Sequence, residues 1–64
     1  MIGFIEVHDL ENNPYILNVN IIESVEVNEK GHTVIYPINS KEVRYYKVLE
    51  SYEEIREKMK MILM

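Results

Sequence analysis

The sequence predicts a small α+β domain, mainly β, in which five antiparallel strands form one sheet or a half-open barrel closed by a single C-terminal helix. Three observations lead to this fold class. The chain has 64 residues, enough for one domain over residues 1–64. Short runs of alternating apolar and polar side chains, separated by turn residues, are typical of strands. After Ser51 the apolar residues change to helical spacing.

The strands are predicted over residues 1–8, 15–19, 24–28, 32–38 and 42–49. Ile5 and Val7 face one side of the first strand, and Val25 and Val27 are expected to be buried in the third. Between the second and third strands, the run LNVNII predicts a tight corner, for which one helical turn is a suitable form, because asparagine disfavours strands. Gly31 supplies the positive φ of the next hairpin.

The segment after Ser51 carries the signature of a helix start. In the capping box SYEE, the Ser51 hydroxyl accepts from the Glu54 amide, and the Glu54 carboxylate accepts from the Ser51 amide. The apolar face consists of Tyr52, Ile55, Met59, Ile62 and Leu63. A helix of about 12 residues is marginal alone in water, so this one is expected to pack on the strands.

Two places are candidate protein-contact surfaces. Met61 and Met64 point away from the apolar face, and either a frayed terminus or a contact with another subunit accounts for them. Arg44 and Tyr46 share a face of the fifth strand, and both residue types are favoured at protein interfaces. The run KEVRYYK also mixes bases with aromatics, as single-strand nucleic-acid binders do, but alternation splits it between two faces and favours a packing role.

Composition and charge exclude several function classes. Cysteine is absent, which removes disulfides, thiolate metal sites and thiol catalysis. The net charge is −4, so the chain is poorly suited to binding nucleic acid; its acidic surface is either simply solvated or steers a basic partner. No apolar run is long enough to insert into a membrane, and the start MIGFIEVHD lacks a basic n-region, so we expect a cytoplasmic protein.

Neither an active site nor a metal site is predicted. None of the serines has a G-x-S-x-G context, and two glycines cannot build a phosphate loop. His8, Asp9 and Glu11 can be drawn as a metal site, but a histidine at a strand end beside a turn is more often an exposed polar residue. We therefore expect no enzyme activity and no cofactor.

Self-association is expected from the size of the chain. A domain this small buries only about 60% of the surface that its unfolded chain exposes. Small scaffolds usually gain stability from disulfides, a metal or a second subunit. Because cysteine is absent, a homodimer or higher oligomer is the expected supplement.

The run LNVNIIESVE resembles the signature of the small FlbD-like (SwrD-like) flagellar and swarming-motility family. The likeness extends to VLESYEEI near the end, and the matching positions are Leu17, Asn18, Asn20, Ile22, Glu23, Val25, Glu26, Thr33, Ile35, Val48, Glu50, Ser51, Glu54 and Ile55. Where the family has a tight Asn-Gly hairpin before the helix, this chain has the longer PINSKEVRYY. The resemblance implies a non-enzymatic cytoplasmic protein that supports motility through contacts with other proteins.

A second function stays open beside that one. A small acidic inhibitor or regulator from a phage or mobile element, occupying the surface of a host defence protein, fits the same compact size and acidity. Neighbouring flagellar genes would favour the first function, and neighbouring phage genes the second. A third function, nucleic-acid binding, predicts salt-sensitive affinity for oligonucleotides.

Overall fold

The computed structural model describes residues 3–38 and 44–63, in which the chain is mainly β with one C-terminal helix, as predicted. The strands are β1 (Phe4–His8), β2 (Pro14–Asn18), β3 (Ile22–Val27), β4 (Thr33–Pro37) and β5 (Tyr46–Val48); a 3₁₀ turn covers Val19–Ile21, and the helix α1 covers Tyr52–Leu63. The fifth predicted strand began at residue 42, and residues 39–43 lie outside the described ranges. Residues 44, 45 and 49 belong to the predicted strand but are not in a strand, so β5 is shorter than predicted.

The strands form two sheets, so the predicted single five-stranded sheet or half-open barrel is wrong. β1 and β2 pair antiparallel in one sheet, and β3, β4 and β5 form a second antiparallel sheet in that order. The division into two sheets follows from the predicted corner between β2 and β3, which is the 3₁₀ turn. The Asn18 side chain accepts from the Asn20 amide at 2.9 Å and caps this turn. The turn redirects the chain, and β3 therefore does not return alongside β2.

The core lies where the two sheets and the helix meet. Its buried members come from β1, β2, β4 and β5, from the 3₁₀ turn and from α1, and they are Ile5, Val7, Leu17, Val19, Ile35, Val48 and Ile55. Val25 is half-buried against this core, but Val27 is 55% exposed, so the predicted burial of Val27 is wrong. Val27 pairs with Thr33 at the hairpin end of β3, beyond the part of the strand that faces the helix.

The helix is fixed at its start and along one side. Both predicted capping-box bonds are present: Glu54 donates its amide to Ser51 Oγ at 3.1 Å, and Ser51 donates its amide to Glu54 Oε1 at 2.9 Å. Ile55 is fully buried, and Ile62 packs against the core. Near the other end, Gly3 allows close approach, because a Cβ there would overlap the Ile62 side chain. The helix is thus held against both sheets.

The hairpin between β3 and β4 contains the predicted left-handed residue, because Gly31 has a φ of 85°.

Within residues 3–38 and 44–63, no helix combines the length and the apolar character needed to cross a membrane.

Candidate functional site

An open groove of about 490 Å³ runs between β3 and one side of α1. The first part of β3 forms one wall and the first two helical turns and a half form the other; the lining residues are Ile22, Glu23, Ser24, Val25, Tyr52, Ile55, Arg56, Met59 and Lys60. Helical spacing explains the second wall: Tyr52, Ile55 and Met59 follow one another at three- and four-residue steps, and the bases Arg56 and Lys60 stand four residues apart beside them. The sequence thus supplies an apolar stripe and a basic edge on the same helix.

The floor of the groove is apolar, and its two rims carry opposite charge. Val25 and Met59 are half-buried, and both pack against the core. Glu23 is exposed on the strand side, whereas Arg56 and Lys60 are exposed on the helix side. Such a groove is suited to bind an apolar side chain that projects from an otherwise polar peptide segment. Pockets that bind ligands commonly combine apolar walls with a few polar groups that orient the ligand.

The backbone of β3 borders the groove. β3 is the outer strand of its sheet, and no other strand in the described part of the chain pairs with its outer edge. Asn28 donates its amide to the His32 carbonyl at 2.9 Å, so Asn28 and His32 form a hydrogen-bonded pair of the β3–β4 ladder. Hydrogen-bonded and non-hydrogen-bonded pairs alternate along the strands from that pair. Antiparallel alternation then directs the amides and carbonyls of Ser24 and Glu26 towards β4 and those of Val25 and Val27 outward.

The predicted contact residues lie elsewhere and do not form one site. Arg44 is exposed in the segment just before β5, and Met61 is 80% exposed on α1. Tyr46 is half-buried against the core, with its ring centroid 6.4 Å from that of Tyr15. Met64 lies outside the described residues. None of the three that are described lines the groove, and their role in binding stays a prediction.

The basic and aromatic residues of the fifth predicted strand are split between two environments. Tyr46 packs inward, whereas Tyr45 is 42% exposed and lies 6.0 Å from the Tyr36 ring, centroid to centroid. The Lys47 ammonium lies 5.7 Å from the centroid of Tyr45. These contacts are the packing arrangement that strand alternation predicts.

The sequence candidates for a metal site form two separate hydrogen-bonded groups. His8 Nδ1 lies 2.7 Å from Glu50 Oε2, and the His8 amide donates to Glu50 Oε1 at 2.8 Å. The Asp9 carboxylate instead accepts from the amides of Glu11 and Asn13, at 2.9 and 2.8 Å, within the turn. Among the described residues, no group of three or more histidines and carboxylates is placed to hold a metal ion.

Burial raises the pKa of Glu50, but the hydrogen bonds from the His8 ring and amide outweigh it and hold the pKa below its usual value of 4.5. Glu50 is therefore ionised at neutral pH although the residue is only 9% exposed. Because both of its oxygens are engaged by His8, the carboxylate has a structural role at the junction of the two sheets.

Comparison of the chain with protein-family models, with curated proteins and with solved structures gave no match. The resemblance to the FlbD-like family stays a prediction from short motifs. Many of the residues that carry this resemblance have a structural role. Leu17, Ile35, Val48 and Ile55 belong to the core, and Ser51 and Glu54 cap the helix. Ile22, Glu23 and Val25 also belong to the matching positions, and they line the groove on the strand side.

Proposed function

We propose that this protein is a small, non-enzymatic interaction module that binds a segment of another protein in the groove between β3 and α1. The observation that carries the proposal is the combination of an apolar floor with rims of opposite charge. Exposed apolar surface rimmed by polar residues is a common feature of protein interaction sites. Charge on the rim contributes to partner selection and to the rate of association.

A binding role suits the polar groups better than catalysis does. The Ser51 hydroxyl accepts the amide of Glu54 as a helix cap, and the His8 ring is engaged by Glu50. Catalysis requires a nucleophile or base directed into a cleft, and neither group lines the groove. Ser24 and Tyr52 bring hydroxyl groups to the lining of the groove, and the lining residues among the described part of the chain include no histidine to act as their base.

We propose motility support in the cytoplasm as the first cellular setting, on the strength of the FlbD-like resemblance. The net charge of −4 favours a second setting, in which an acidic phage or mobile-element protein occupies a host defence protein. The genes next to its own separate these settings: flagellar motor genes would support the first, and phage genes would contradict it.

Affinity capture with matched charge reversals tests the binding function. The wild-type chain, Lys60→Glu and Lys58→Glu would each be immobilised and exposed to lysate of the native cell, with retained proteins quantified by mass spectrometry. Lys60 lines the groove and Lys58 does not, while both substitutions change the net charge equally on the same helix. We expect a partner that wild type and Lys58→Glu retain and Lys60→Glu loses. Retention by all three, or no specific retention, would contradict the proposal.

A further inference from the structure

The geometry points to a bound segment that adds as a β-strand to the outer edge of β3, with an apolar side chain in the groove and an acidic one beside Arg56 and Lys60. This inference rests on the proposed function and specifies the partner's conformation and chemistry. An alternative occupant would be an amphipathic helix, which recognises a groove through side chains alone. The backbone of β3 distinguishes these two occupants, because only an added strand would form hydrogen bonds with its outer edge.

The outer edge of β3 offers the hydrogen bonds that strand addition requires. The amides and carbonyls of Val25 and Val27 point outward, and no strand within the described ranges pairs with them. Proteins usually protect such edges with charged side chains, above all lysine, with proline or with a bulge. β3 contains neither lysine nor proline; its charged residues are Glu23 and Glu26, which disfavour an acidic strand, and its register shift lies between Ile22 and Ser24, at the other end of the strand. The Val25–Val27 section therefore remains suited to pairing.

The side chains of an added strand would alternate between the two faces of the sheet. A residue directly opposite Val25 would point to the same face as Val25, which is the face that lines the groove. This side chain would lie beside Val25 and face the groove that Val25 and Met59 line, where the floor is apolar. The partner segment is thus expected to carry an apolar residue at this position and at alternate positions along it.

The charged residues at the rim of the groove determine which charged residues the partner segment is expected to carry. Arg56 and Lys60 border the groove on the helix side and favour an acidic side chain next to the apolar one. A second copy of this chain fits poorly, because pairing two β3 strands would bring Glu23 and Glu26 of both copies into adjacent strands. The occupant is therefore a strand from a different protein, which carries apolar residues, an acidic residue beside Arg56 and Lys60, and no acidic residue opposite Glu23 or Glu26.

The test uses peptides selected from a phage-displayed random dodecamer library on the full-length wild-type chain. Binding of the synthetic peptide would be measured by fluorescence anisotropy to wild type, Val27→Pro and Val27→Thr. Proline removes the outward amide of Val27, which makes no bond to β4 under the antiparallel alternation, whereas threonine keeps that amide. We expect about a tenfold loss of affinity for Val27→Pro and little change for Val27→Thr.

A second measurement does not depend on how well the proline variant folds. N-methylation of the peptide, one amide at a time, should abolish binding at every second position, because alternate amides of an added strand bond to β3. Tolerance of all N-methyl groups would overturn strand addition. A wild-type dimer that becomes a monomer in Val27→Pro would overturn the choice of partner, because a second copy would then occupy the edge.

These results separate the inference from the proposed function. If affinity falls for Lys60→Glu while Val27→Pro and the N-methylated peptides still bind, the groove binds a segment that is not a strand. If no selected peptide is sensitive to Lys60→Glu, the groove is not the binding site and both proposals fail.

Discussion

The Glu50 carboxylate joins the end of β1 to the chain just before α1. One oxygen accepts the His8 amide, the other faces the His8 ring, and the Leu49 amide donates to the His8 carbonyl at 2.8 Å. The His8 ring also lies 3.7 Å from Glu6 at its other nitrogen. These bonds link the two sheets at one point, and hydrogen bonds to a charged group contribute more than neutral ones.

Glu50→Gln is expected to lower the free energy of unfolding by about 1–3 kcal/mol, because it removes the charge while keeping the size of the side chain. Urea denaturation followed by circular dichroism measures the change. Glu57→Gln is the control, since Glu57 is exposed on the helix and should leave stability nearly unchanged. Equal stability of the two variants would contradict a structural role for Glu50.

The lowered pKa of Glu50 predicts a pH dependence of stability. A carboxyl whose pKa is lower in the folded chain than in the unfolded one stabilises the fold fully above the unfolded value, which is near 4.5. That contribution is lost as the pH falls through the lower, folded pKa. Thermal melts from pH 7 to pH 3 should therefore show a smaller loss for Glu50→Gln than for wild type. Parallel losses would show that other carboxyls set the acid limit.

At the scale of the element, the capping box determines where α1 begins. Ser51→Ala should cost about 0.5–2 kcal/mol of stability, because the amide of Glu54 loses its acceptor. Ser51→Thr keeps an acceptor and serves as the matched control. Urea denaturation of both variants measures the difference. A Ser51→Ala protein as stable as Ser51→Thr would indicate that core packing alone holds the helix start.

The elements whose signals are local could be predicted from the sequence. The capping box at Ser51, the left-handed Gly31 and the turn near Asn18 each depend on residues within a few positions. The division into two sheets could not be predicted, because strand pairing depends on long-range contacts that periodicity does not report. The exposure of Val27 was missed for the same reason: alternation identifies a face but not how far the helix covers it.

The candidate site was predictable only in its parts. Ile55 and Met59 were assigned to the apolar helix face, and Arg56 and Lys60 stand one helical turn apart beside it. Their meeting with β3 depends on the 3₁₀ turn and on the position of β3 at the outside of its sheet. The i, i+4 spacing of Arg56 and Lys60 is the sequence signal that could have indicated the helix side of the groove.

At the scale of the whole molecule, self-association remains a proposal based on size. The described residues expose several large apolar side chains, among them Phe4 and Ile16 at 56% and 69%. Light scattering over a dilution series should give a mass above the 7.7 kDa monomer at high concentration, falling on dilution. A constant monomer mass throughout would contradict self-association but would leave the groove as a site for other proteins.

An NMR titration tests the binding site most directly. The ¹⁵N-labelled full chain would be titrated with the selected peptide, and the amide shifts followed residue by residue. A site in the groove predicts the largest changes along Ile22–Val27 and at Arg56 and Lys60. Changes concentrated at Arg44, Tyr46 and Met61, with β3 unaffected, would contradict it.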